Sequence, residues 1–231
     1  MIILTGGTGF LGRAVCQQLS RQKIEYLCLP GRAHRDLRTT PPEVRSGDTV
    51  IHLAYPGTAG IGTMLDTPAW LVHDLLQIDL SVLQACASKE VARLICVGSV
   101  CAYPEAVTFP TDEGQLWMGY PEAVNAPYGI AKRMQLELLK VYARQYGLVS
   151  THLILGNLYG PGDHSGHVIP ATIRKVQFAL ATGSEEIVVW GDGTATREFL
   201  YVEDAARAIV QAATQPEVVT VPVNICSGEE M

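Results

Sequence analysis

The chain begins MIILTGGTGFLG (residues 1–12), and the fold follows from how those residues read. Ile2–Thr5 is a short apolar run that predicts a buried strand, and residues 10–22 carry helical spacing. Between them the glycines satisfy G-x-G-x-x-G (Gly7, Gly9, Gly12) and also G-x-x-G-x-x-G (Gly6, Gly9, Gly12). Missing side chains let the backbone turn tightly and approach a pyrophosphate, whose charge is favoured at the N-terminus of the next helix. A lone glycine triplet says little. Placed between a strand and a helix, it marks the opening of a dinucleotide-binding βαβ unit.

The rest of the sequence continues that alternation. Strands are predicted at 24–29, 49–54, 93–98, 150–155, 187–190 and 221–226, with helices at 70–88, 128–146, 171–181 and 202–213. The expectation is an α/β fold with a doubly wound parallel sheet. Residues 1–155 would form the dinucleotide-binding Rossmann domain and 156–200, rich in Gly, Pro and polar residues, a substrate lobe. A helix and strand in 201–231 would return to the sheet.

Composition narrows the function classes. A chain of 231 residues, 48% hydrophobic and 17% charged, suffices for one compact core. A net charge of −6 gives no general attraction to nucleic acid or anionic membrane. The start lacks a secretory pattern, and no apolar run is long enough to span a bilayer. Cys16, Cys28, Cys86, Cys96, Cys101 and Cys226 are scattered without a Cys-x-x-Cys pair, so they read as reduced, mostly buried thiols of a cytoplasmic protein. The histidines show no metal-ligand spacing, so no metal is expected.

At the end of the second predicted strand stands Leu29-Pro30-Gly31-Arg32, with Arg35 close behind and no acid. An NAD-preferring site would carry Asp or Glu there for the ribose 2′-hydroxyl, whereas an arginine suits a 2′-phosphate. NADP is therefore the expected cofactor. Arg13, just past the glycines, is a second candidate for that phosphate.

Tyr128 and Lys132 open the long helix at i, i+4 spacing, which puts both on one face. An ammonium beside a phenol would favour the phenolate and let it exchange a proton with a carbonyl or alcohol. Ser99 follows strand 93–98, at the strand end where open parallel sheets bind ligands. Strand alternation sends Ser99 and Cys101 to the same side.

These motifs, with VGSVCAYP (97–104), NAPYGIAK (125–132), NLYGPGD (157–163), HVIPATIRK (167–175) and VVWGDGTATREFLYVEDAA (188–206), resemble the extended short-chain dehydrogenase/reductase (NAD-dependent epimerase/dehydratase) family. Within it the likeness is to the 3,5-epimerase/4-reductases of GDP-4-keto-6-deoxymannose. The resemblance implies Ser99, Tyr128 and Lys132 as a reductase triad, and Cys101 and His167 as base and acid of epimerisation. It implies a cofactor site of Gly6, Gly9, Phe10, Leu11, Gly12, Arg13, Arg32, Ala54, Val97, Tyr128, Lys132, Leu155, Asn157, Leu158 and His167. Asn157, Lys175, Trp190 and Arg197 would hold the nucleotide sugar. A thiol near a lysine and a nicotinamide would be partly ionised, as a carbon-acid base requires.

The sequence departs from the family at three points. Lysine at 175 replaces an arginine, giving up bidentate diphosphate binding. The loop Tyr55–Gly62 lacks the family's asparagine-containing segment. The family also continues past Met231, so the substrate lobe would be incomplete here, its pocket open on one side or closed by another chain. The alternatives are a 4-epimerase, a 4-ketoreductase without epimerisation, or a catalytically weak NADP-binding protein acting through partners. A 4,6-dehydratase would want a carboxylate near 100–101, and Val100-Cys101 supplies none. Apolar residues on several faces of 70–88 and 128–146 predict a homodimer, as does the resemblance.

Overall fold

The computed structural model describes residues 1–56, 61–215 and 222–229. Its principal strands are β1 (Ile2–Thr5), β2 (Tyr26–Cys28), β3 (Thr49–His52), β4 (Arg93–Ser99), β5 (Ser150–Leu155) and β8 (Pro222–Ile225). They form one sheet in the order β2-β1-β3-β4-β5-β8, with every pairing parallel. From β1 the chain moves outward to β2 and then crosses back to β3 on the other side. That reversal opens a crevice at the carboxyl ends of β1 and β3, the switch point where such sheets bind ligands.

Strand alternation builds two cores. Ile2, Leu4, Ile51, Ile95 and Leu153 face one way, onto Val15 and Leu19 of α1 (Phe10–Arg21) and Ile209 and Val210 of α6 (Val202–Thr214). Ile3, Val50, Leu94 and Cys96 face the other way, onto Ile78, Val82 and Leu83 of α3 (Pro68–Ser88) and Leu139 of α4 (Ala126–Tyr146). A sheet covered on both faces needs apolar residues at every strand position, which is why these strands read as unbroken apolar runs. The remaining helices are α2 (Ile61–Asp66) and α5 (Val168–Thr182).

Beyond β5 the structure departs from the sequence expectation. Residues 187–190 form no strand. Val188, Val189 and Trp190 are instead exposed side chains without a neighbouring ladder. A short apolar run signals a strand only where a partner exists to take its backbone hydrogen bonds. The pairing is made elsewhere, between β6 (Asn157–Tyr159) and β7 (Phe199–Tyr201), with Asn157 opposite Phe199 and Tyr159 opposite Tyr201. The last strand returns to the main sheet beside β5, and α6 packs on α1. The second strand is shorter than expected, as befits a sheet edge. The thiols are less uniformly buried than expected: Cys86 and Cys96 are buried, Cys16, Cys28 and Cys101 half-buried, and Cys226 exposed.

Candidate active site

The glycine loop fits a close ligand because side chains are sterically excluded from it. A Cβ on Gly12 would lie 2.1 Å from the Gly6 carbonyl oxygen, and one on Gly6, whose φ is +74°, would lie 2.5 Å from the Leu53 carbonyl carbon. The loop is therefore drawn against the end of β3, with its amides free to approach a pyrophosphate at the start of α1. Gly31 passes close to Thr8, which brings the segment after β2 alongside this loop. Arg32 lies there, about half exposed, donating to the Pro56 carbonyl at 3.1 Å. Arg35 is turned away into a pair with Glu43. Arg13 donates to the carbonyls of Thr8 and Gly162, which ties the loop to residue 162. Phe10, Leu11, Ala54 and Val97 are each half-buried, the first two at the start of α1, Ala54 just after β3 and Val97 near the end of β4.

The catalytic candidates on β4 and α4 come together. Strand β4 ends at Ser99, and Val100–Ala102 turn into a short 3-10 helix. Pleat alternation therefore does not place Cys101, contrary to the sequence argument. Ser99 does so by capping the turn, its Oγ accepting from the Cys101 amide at 3.2 Å. Helix α4 is seated against this turn through Gly129, whose added Cβ would lie 2.3 Å from the Cys101 carbonyl oxygen. The buried Arg133 secures the same contact by donating to the Ala102 and Gly119 carbonyls at 2.6 and 2.8 Å. Tyr128 thereby reaches Ser99, whose hydrogen bond acts to lower the phenol's pKa.

The electrostatics differ from the sequence expectation. Burial, reinforced by Tyr55 and Cys101, pushes the Tyr128 phenol well above its ordinary range. Lys132 does not set that balance; its Nζ donates to the Val97 carbonyl at 2.8 Å. Tyr128 is thus a protonated phenol at neutral pH. Cys101 is likewise pushed up, first by burial and then by Glu122, against a lowering contribution from Ser99. No lysine contributes to the balance at this thiol.

The candidates beyond β5 are more dispersed. Leu155 is buried at the end of β5, and Asn157 and Leu158 begin β6, where Asn157 donates to the Glu198 carbonyl at 2.9 Å. That bond joins Asn157 to the strand next to Arg197, which is exposed and donates to the Thr196 carbonyl. Lys175 donates to the Val188 carbonyl and lies 5.5 Å from the Trp190 ring centroid, while Trp190 is 93% exposed. His167 precedes α5 as its exposed cap residue, and among the described residues no hydrogen bond joins it to Cys101 or Tyr128.

A glycine cradle at the switch point, beside a serine, tyrosine and lysine gathered at β4, is matched in sequence across residues 2–226. The chain belongs to the NAD dependent epimerase/dehydratase family. It is 32% identical to the GDP-L-fucose synthase of Escherichia coli (strain K12) over 90% of this chain and 68% of that protein. It is 33% identical to GDP-L-fucose synthase 1 of Arabidopsis thaliana over 100% of this chain and 73% of that one. In three dimensions it is similar to a GDP-L-fucose synthetase from Naegleria fowleri bound to NADP, with a TM-score of 0.85 and 29% identity over 99% of this chain and 77% of that one.

Two features of this family member escape the motif reading. The first is a buried chain of hydrogen bonds behind the glycine loop. The Ala54 amide donates to Thr5 Oγ1 at 3.3 Å, and Thr5 Oγ1 lies 2.7 Å from His52 Nδ1. His52 Nε2 lies 3.0 Å from Asp79 Oδ1, which also accepts from Gln135 at 2.8 Å. His52 bridges the Thr5 hydroxyl and Asp79 through its two ring nitrogens. The chain thus joins the cradle, through α3, to the helix carrying Tyr128. Polar residues inside apolar runs, His52 in TVIHLA and Asp79 in LQIDLSV, were the available signal. The second is Tyr55, just after β3, whose ring stands edge-on to Tyr128 with centroids 5.8 Å apart.

Proposed function

We propose that this family member is an NADPH-dependent epimerase/reductase acting on a GDP-linked 4-keto-6-deoxy sugar. The observation that carries the reading is the Ser99–Cys101–Tyr128–Lys132 cluster packed at the end of β4, next to a glycine cradle that excludes side chains. The GDP-L-fucose synthase relatives, about a third identical over nearly the whole chain, support the choice of nucleotide sugar.

The cofactor would rest on Gly6, Gly9 and Gly12 with Phe10, Leu11, Ala54, Val97, Leu155, Asn157 and Leu158 around it, and Arg32 toward the 2′-phosphate. Bound there, it supplies a hydride. Tyr128 holds the proton that the sugar 4-oxygen needs, and burial keeps that proton in place until an alkoxide develops. Ser99 adds a second hydroxyl at the same oxygen, and Lys132 ties the helix face to β4 by donating to the Val97 carbonyl. Cys101 would remove a proton beside the ketone, with His167 returning one from the opposite face. Asn157, Lys175, Trp190 and Arg197 would grip the nucleotide sugar from the 156–200 lobe, with residues 1–155 and 201–231 completing the cofactor domain. In the free chain Lys175 and Trp190 form an exposed cation–aromatic pair open to an anionic, planar ligand.

A homodimer through α3 and α4 belongs to the same proposal. Trp70 and Leu80 on α3, and Ile130 and Met134 on α4, leave apolar side chains on the outer side of two adjacent helices.

One observation favours a second reading, a 4-ketoreductase that does not epimerise. The Cys101 thiol is pushed up by burial, and His167 is exposed without a hydrogen bond to the cluster. The decisive screen follows NADPH oxidation with GDP-, UDP-, dTDP- and CDP-linked 4-keto sugars. Selective turnover of the GDP compound supports the proposal, and the absence of turnover with any of them refutes it.

A further inference from the structure

Among the described residues the Tyr55 hydroxyl is closed off from water and has no hydrogen-bond partner. Its ring is well used, packed edge-on against Tyr128 in a contact that phenylalanine would make equally well. The hydroxyl alone is a cost, since a buried donor without an acceptor loses its water and gains nothing. Its position makes that cost informative. Tyr55 stands at the carboxyl end of β3, at the switch point, and its phenol is within electrostatic reach of both Cys101 and Tyr128.

We propose that Tyr55 contacts the substrate, its phenol hydrogen-bonding the sugar hydroxyl on carbon 3, beside the ketone. The inference rests on the proposed 4-keto-sugar reading and deepens it. With the 4-oxygen at Tyr128 and Ser99, the next polar group on the ring is the carbon-3 oxygen, one bond further along. A phenol edge-on to Tyr128, with ring centroids 5.8 Å apart, is placed to meet it. This gives the site a means of choosing among 4-keto sugars, because a pocket built around a hydroxyl leaves its own polar group unpaired when an analogue lacks that hydroxyl. Tyr55 also lies in the loop that departs from the family's pattern, so the preference would be this chain's own.

The test compares wild type with Tyr55→Phe on a GDP-4-keto-6-deoxyhexose and its 3-deoxy analogue, measuring kcat/KM for each. Calorimetric binding of the corresponding GDP-6-deoxyhexoses, which need no turnover, provides a second readout. Wild type is expected to prefer the 3-hydroxy compound by at least about tenfold in both, and the variant to compress that ratio to within about threefold. NADPH affinity should be unchanged in the variant. Its melting temperature should rise, by about 2–4 °C, because an orphan polar group has been removed. A variant that melts lower than wild type and keeps the full preference would show a merely structural tyrosine and overturn the proposal. A wild type that turns over the GDP sugar without regard to the carbon-3 hydroxyl overturns this proposal alone. A wild type that neither binds nor reduces any GDP sugar overturns it together with the reading beneath it.

Discussion

Replacing Gly12 with alanine places a Cβ 2.1 Å from the Gly6 carbonyl oxygen and 2.6 Å from the Gly7 Cα. Both obstructing atoms are backbone, so no rotamer change relieves the clash. The first turn of α1 and the glycine loop must separate by roughly 1 Å, an overpacking strain of about 1–3 kcal/mol. If the loop escapes that strain by leaving its ligand-binding position, NADPH affinity falls by about 5- to 150-fold, at 1.4 kcal/mol per decade. Gly9→Ala is the graded comparison. Its Cβ would meet the same oxygen at 3.3 Å, a contact that small adjustments accommodate, so its affinity should stay within about threefold of wild type. Gly47→Ala is the control for backbone strain. Its φ is +80° with no atom within 4 Å of a Cβ, so it should lose about 1–2 kcal/mol of stability and no cofactor affinity. Fluorescence titration of NADPH and urea unfolding of the three variants measure both quantities. A Gly12→Ala protein that binds NADPH within twofold of wild type, or a Gly9→Ala protein equally impaired, would refute the close-packed loop.

Other outcomes follow from the same geometry. Tyr128→Phe should lower reductive turnover by ~10²–10⁴ with NADPH affinity near normal, as single-turnover kinetics and titration would register. Arg32→Asp should reverse or abolish the preference for NADPH over NADH; tighter NADH binding by wild type would remove the arginine from the cofactor account. Because burial raises the Cys101 thiol, its base form grows as pH rises past the usual thiol range. Solvent deuterium exchange into the 4-keto sugar without NADPH should therefore accelerate toward alkaline pH and vanish in Cys101→Ala. Trp70→Glu on α3 should shift the particle from dimer to monomer by light scattering, and a monomeric wild type at micromolar concentration would defeat the assembly proposal.

Much of the fold could be read in the sequence because its determinants are local. β1, the glycine loop and α1 are adjacent in the chain, and the unbroken apolar runs of β3, β4 and β5 report burial on both faces. The β6–β7 pair was not legible, since Asn157 meets Phe199 across forty-one intervening residues and neither three-residue segment has a distinctive pattern. In the site, the i, i+4 spacing placed Tyr128 and Lys132 correctly on one helix face. The spacing could not show that Lys132 donates to the Val97 carbonyl, or that burial dominates at the phenol. Strand alternation does not position Cys101, because a serine cap that bends the chain is indistinguishable in sequence from a strand that continues. Tyr55 carries no sequence signal of its own, since its contact with Tyr128 exists only once β3 and α4 are brought together.

One isotopic experiment separates epimerisation from reduction in a single product. The protein is incubated with GDP-4-keto-6-deoxymannose and NADPH carrying deuterium at the transferable position. Parallel reactions use unlabelled NADPH in heavy water, and the products are assigned by NMR. The account predicts a 6-deoxyhexose with cofactor deuterium on carbon 4 and solvent deuterium on carbons 3 and 5, both inverted. A reduced product with no solvent deuterium would contradict the epimerase assignment and leave Cys101 a half-buried hydrophobe. The absence of any NADPH oxidation with this substrate would contradict the account as a whole.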